Sequence, residues 1–172
     1  MKFASRFLFL GMLLAGALAP AFAFGADGRL IEAGRGIGAA ALGMSVEQAM
    51  TALGKPDAKY HVTDGHLYLF GGLQLFAAEG GRVHRIETDS ADYRTRQGLG
   101  VGSMESEIVA ALGKPALAEN IDTRNDNLLM TIGRRLCYEP GLVFIADYAP
   151  RQPHAITRVA VRGDGCARAF GN

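Results

Sequence analysis

The 172-residue chain carries almost no net charge: 18 Lys and Arg stand against 17 Asp and Glu. Without clustered cations it lacks the electrostatic footprint of a protein that binds nucleic acid or an anionic membrane, so no nucleic-acid partner is expected. It also lacks an unbroken apolar stretch of about 20 residues, the length that crosses a bilayer as a helix. Gly11, Gly16 and Pro20 interrupt its one long apolar run, and no membrane span is expected in the mature chain. A Gly-x-Ser-x-Gly nucleophile elbow is missing. So is a Gly-Lys-Ser/Thr phosphate loop, and the two cysteines do not form Cys-x-x-Cys. The serines Ser45, Ser103 and Ser106 sit at helix starts, where capping explains them. These absences leave no assembled catalytic group, and the chain is expected to be non-enzymatic, without cofactor or metal.

What the chain does have begins with a short basic start (Lys2, Arg6), an apolar run from Phe7 to Leu18 and the small-x-small triplet Ala21-Phe22-Ala23. That is the pattern of a secretory signal peptide cleaved after Ala23. Losing two basic residues would bring the formal charge from +1 to −1. No cysteine lies at the cleavage point to carry a lipid. The mature chain is therefore expected to be periplasmic or secreted. Cys137 and Cys166 would meet an oxidising compartment there, where a structural disulfide is the ordinary state and free thiols are the alternative.

The segment from Gly43 to Pro56 returns as Gly102 to Pro115, 59 residues on. Gly72-Leu73-Gln74-Leu75-Phe76-Ala77 is answered by Gly141-Leu142-Val143-Phe144-Ile145-Ala146, and Val83-His84-Arg85-Ile86 by Ile156-Thr157-Arg158-Val159. Self-similarity at this spacing reads as two copies of one small unit. In the first copy Ser45 and Gln48 form a capping box, Ala49, Met50 and Leu53 an apolar helix face, and Gly54 and Pro56 end the helix. In the second, Ser103 caps, Ile108, Val109 and Leu112 form the face, and Gly113 and Pro115 end it. Each helix is followed by strand-like segments between glycine turns: 66–70, 73–78 and 82–88, then 128–138, 142–147 and 156–162. The expected fold is α+β, two tandem repeats, each a short helix or helix pair packed on a three-stranded antiparallel meander. Residues 1–23 would be the signal, 24–92 the first repeat with a flexible N-terminal leader, and 93–172 the second.

Alternation assigns faces. Leu67, Leu69, Leu73, Leu75, Ile86, Leu142, Phe144, Val159 and Val161 are expected to meet the helices. Tyr68, Phe70, Gln74, Phe76, Arg85, Glu87, Val143, Ile145, Asp147 and Arg158 are expected on the opposite face, which holds more large side chains than a solvated face needs.

Short helices ending Leu-Gly-x-Pro, followed by Gly-Leu-x-aromatic strands, resemble the repeat shared by the β-lactamase inhibitor protein and the SmpA/OmlA (BamE-like) outer-membrane assembly lipoproteins, over about residues 36–170. The resemblance implies a layered unit whose sheet or loops bind another protein without catalysis. The chain departs from the lipoproteins in having no anchoring cysteine.

The functional expectation is a binding module for another exported protein, docking on the sheet face through Tyr68, Phe70, Phe76, Arg85, Glu87 and Arg158, or on the loop at 119–127. An envelope assembly or structural factor without a lipid anchor is the alternative, and a small hydrolase the lesser one. Gly34-Arg35-Gly36-Ile37-Gly38 reads as leader rather than a nucleotide loop, since no strand precedes it. Gly98-Leu99-Gly100-Val101-Gly102 reads as the turn into the second helix. Asp122, Asn125, Asp126 and Asn127 look faintly like a calcium loop, but Arg124 stands where a ligand belongs, which favours a polar hairpin tip. If Asp64-Gly65 forms a two-residue hairpin, His61 pairs with Tyr68 and His66 with Thr63, so His61, His66, His84 and His154 do not converge on a metal.

Overall fold

The computed structural model describes residues 28–125, 128–148 and 154–167. The expected signal segment lies outside them, as do Asp126 and Asn127 of the polar tip.

The glycine-rich stretch expected as a loose leader folds into the core. It forms three two-residue strands, β1 (Ile31–Glu32), β2 (Gly36–Ile37) and β3 (Ala40–Ala41), paired antiparallel in that order. Ile31, Ile37 and Ala40 are buried. A Cβ on Gly36 would collide with the Ala40 carbonyl oxygen, so close strand approach, not flexibility, requires glycine there.

Helix α1 (Val46–Leu53) starts at the expected capping box: Gln48 N–H donates to Ser45 Oγ (3.2 Å) and Ser45 N–H to Gln48 Oε1 (2.8 Å). Helix α2 (Glu105–Leu112) starts differently. Met104 occupies the cap position and its N–H donates to Glu107 Oε2 at 2.8 Å. Ser103 instead accepts from the Gly100 N–H, closing the turn before the helix. Val46, Ala49 and Ile108 point into the core, and Leu53 and Leu112 pack against its edge. Met50 and Val109, expected on that face, are exposed because each helix is only two turns long and docks on a narrow stripe.

Eight strands follow: β4 (Ala58–Val62), β5 (Gly65–Phe70), β6 (Leu73–Ala77) and β7 (Val83–Thr88) from the first half, β8 (Leu117–Asn125), β9 (Leu128–Tyr138), β10 (Leu142–Asp147) and β11 (Ile156–Arg162) from the second. They form one antiparallel sheet in the order β4-β5-β6-β7-β11-β10-β9-β8. This corrects the expected α+β pair of repeats: the described chain is mostly β, with two short helices and two sheets. Each half contributes four strands, not three, and the halves are joined through β7 and β11, where Thr88 faces Val159 and Ile86 faces Val161. Isolated meanders would each have left a hydrophobic strand with unpaired backbone groups at that seam, and pairing satisfies both. The sheet edges are β8, which the sequence reading missed, and β4, which it raised only as the first arm of an Asp64-Gly65 hairpin. Their composition, Ala-Lys-Tyr-His-Val and Leu-Ala-Glu-Asn-Ile-Asp-Thr-Arg-Asn, is that of solvated edge strands and gives little apolar alternation.

One core cluster covers the inner face. It runs from Tyr68, Leu75, Ile86, Val161 and Leu142 to Tyr138 in one cross-strand row, and from Phe70, Leu73, Val159 and Phe144 to Leu136 in the next.

Candidate functional site

The expected faces hold for β6, β7, β10 and β11 and are reversed in β5. The Gly71-Gly72 turn makes Phe70 the cross-strand partner of Leu73, so these two share a face. Alternation counted straight through a two-residue turn gains a step of parity. Tyr68 and Phe70 therefore lie in the core, 8% and 6% exposed, and Leu67 and Leu69 take the outer face in their place.

The outer face consequently carries the row Tyr60, Leu67, Phe76, Arg85 and Arg162, each opposite the next across β4, β5, β6, β7 and β11. Tyr60 is 53% exposed. Beside this row run Leu69, Gln74, Glu87 and Ala160. The Arg85 guanidinium lies 3.6 Å from the centroid of the Phe76 ring. Its Nε is 3.3 Å from Glu87 Oε1, an ion pair without hydrogen-bond geometry. The other Glu87 oxygen is 3.6 Å from Arg158 Nη1. Glu87 is only 6% exposed, so one nearly dry carboxylate positions two half-exposed cations. Burial lowers the Arg85 pKa, and the Glu87 charge opposes that shift. Arg162, at the end of the row, is held by Asp164 through two 2.9 Å hydrogen bonds.

Toward the second half the outer face closes over. Cys137 and Cys166 form a disulfide, with Cα atoms 5.7 Å apart, and pack with Val143, Ile145, Ala160 and Ile121. The Cys166 N–H donates to Glu139 Oε1 at 3.1 Å, which turns the tail back onto β9. Leu67, Leu69, Gln74 and Phe76 remain outside that cluster and only partly buried. Of the six residues expected as a binding set, the structure thus brings together Phe76, Arg85, Glu87 and Arg158, and sends Tyr68 and Phe70 inward.

A cleft lies on the other side of the sheet. Ile31, Leu112, Tyr138 and Leu142 floor this cleft of about 390 Å³ rimmed by Glu32, Arg35 and Arg96. Glu32 pairs with Arg96 at 3.2 Å and with Arg35 at 3.9 Å. Sequence reading missed it because Ile31, Glu32 and Arg35, taken for a flexible leader, form one of its walls.

The histidine geometry also differs from expectation. The β4–β5 turn is centred on Thr63 and Asp64, so Val62 faces Gly65 and His61 faces His66 directly. A Cβ on Gly65 would strike the Ala77 carbonyl oxygen, so this glycine serves close approach to β6. A glycine after, rather than within, the central pair is what a type I turn favours, and is the clue that was available.

No protein-family model matches the chain, and no curated protein matches it. Among solved structures it is similar to the uncharacterized protein yfeY from Escherichia coli, at 11% identity and a TM-score of 0.50, over 76% of this chain and 97% of that one. A likeness at that identity is a likeness of fold.

Proposed function

We propose that the protein is a non-enzymatic binding module for another exported protein, and that the partner docks on the outer face of β4–β7. The observation that carries this reading is the row Tyr60, Leu67, Phe76 and Arg85, partly exposed beside a face closed elsewhere by the disulfide cluster. Aromatic and arginine side chains supply most binding hot spots, because they bury large area at small conformational cost. Phe76 and Arg85 are already stacked, and Arg85 and Arg158 share Glu87, so less side-chain freedom is lost on docking. With one carboxylate between two guanidiniums the Arg85–Glu87–Arg158 triplet keeps a positive excess, while Arg162 beside it is matched by Asp164. It suits a partner surface that offers an apolar side chain flanked by carboxylates. The Cys137–Cys166 disulfide and the signal-like start support export, where such a bond persists.

A photoreactive phenylalanine analogue placed at Tyr60 or Phe76 in the producing cell tests the surface. The expected result is one discrete protein adduct from these positions and none from the same analogue at Met50 or Val109, which are exposed on the helices. Adducts from the helix positions with none from the sheet would place the partner elsewhere.

A further inference from the structure

His61 and His66 face each other across the β4–β5 hairpin, with ring centroids 5.4 Å apart and planes at 74°. Glu79, in the turn between β6 and β7, brings a carboxylate beside them, and one donor atom from each of the three lies within 4.8 Å of the others. We propose that His61, His66 and Glu79 bind a late divalent transition-metal ion of the zinc type. The donors suit it: two imidazole nitrogens and a carboxylate oxygen are borderline ligands, matched to zinc, nickel or copper rather than to calcium or magnesium.

The geometry requires little movement. Donors bonded at 2.0–2.2 Å in a tetrahedral site sit about 3.3 Å from one another, so the group has roughly 1.5 Å to close. His61 and Glu79 are exposed and His66 is half-buried, leaving their torsions free to do this, and Glu79 precedes Gly80-Gly81 in a solvent-facing turn. The pairing of His61 with His66 is fixed by backbone register, so two of the three ligands arrive together without a folding cost of their own. Opposing the ion, the Lys59 ammonium lies one cross-strand row away, 5.4 Å from the Tyr68 ring centroid, and the Glu79 carboxylate offsets that charge. Three protein ligands leave one position for water or for a donor from a partner. A bound ion would tie the edge strand β4 to the β6–β7 turn and stabilise the folded chain by mass action.

Tag-free full-length protein, stripped with a chelator, is titrated with zinc chloride against a chromophoric zinc indicator, and its melting temperature is followed in parallel. The expected result is one zinc per chain with a rise in melting temperature. In His61→Ala and in His66→Ala the affinity falls at least about tenfold, a loss typical of damaged metal sites. His84→Ala retains the full-length protein's affinity. Because a strand substitution can disturb folding, cobalt(II) is also added to the unsubstituted protein. Its paramagnetism should broaden the NMR signals of the His61 and His66 rings before those of His84 and His154. Absence of saturable one-to-one binding, unchanged affinity in either His61→Ala or His66→Ala, or broadening led by His84 or His154 would overturn the site.

Discussion

Glu87 sets the chemistry of the outer face, since its single carboxylate fixes Arg85 on one side and Arg158 on the other. Glu87→Gln removes the counter-charge that two cations share on a half-dry surface. It should cost about 1 to 2 kcal/mol, below the value for a fully buried pair because both arginines reach solvent, as chemical denaturation will measure. The core position of Tyr68 gives a sharper contrast with Phe76 on the adjacent strand. Tyr68→Ala should cost about 3 kcal/mol, whereas Phe76→Ala on the outer face should cost under about 1 kcal/mol. His84 has its pKa lowered, first by desolvation and then by the Arg85 charge. Folding therefore favours its neutral form, and the stability so gained is present above the unfolded histidine pKa near 6.5 and fades as pH falls below it. His84→Gln should flatten the decline of melting temperature between pH 7 and pH 5, and an unchanged slope would assign that decline to other groups.

At the level of elements, the two helices look alike in sequence and begin differently. Ser45→Ala removes a side-chain cap and should cost about 1 kcal/mol, while Met104→Ala removes none and should cost a few tenths at most. The capping box of α1, the paired cysteines and the inner faces of β6, β7, β10 and β11 were legible, because each rests on a local rule or an unbroken alternation. Within the large sheet, three things were not. Strands β4 and β8 are edges with one partner each, so no apolar period marks them. Tyr68 and Phe70 were misplaced by counting parity through Gly71-Gly72, and His61 and His66 were separated by setting the previous turn one residue late. A one-residue error in counting across a turn moves every side chain of the next strand to the other face, and a turn centred one residue late shifts the pairing by two, so hairpins are where such reading is most fragile. The disulfide closes a sequence separation of 29 residues. Removing it by Cys137→Ala with Cys166→Ala should cost about 3 to 4 kcal/mol in the chain-entropy model.

For the whole molecule, the sequence duplication ends in one sheet and not in two units. The pairing of β7 with β11 makes the halves share a core, so they should unfold together, and amide exchange at Ile86 and Val161 should report the global free energy. One sheet face is consumed by that core. The other is closed over β9–β11 and carries its partly exposed aromatic and arginine side chains over β4–β7, which is the basis for reading the protein as a binding module. The measurement that bears most directly on this is affinity for the crosslinked partner, taken together with melting temperature, for Phe76→Ala with Arg85→Ala against Met50→Ala with Val109→Ala. The sheet-face pair should lose on the order of 2 kcal/mol or more of binding while still melting as one cooperative unit, and the helix pair should bind as before. Full affinity in the sheet-face pair with weakened binding in the helix pair would contradict the account.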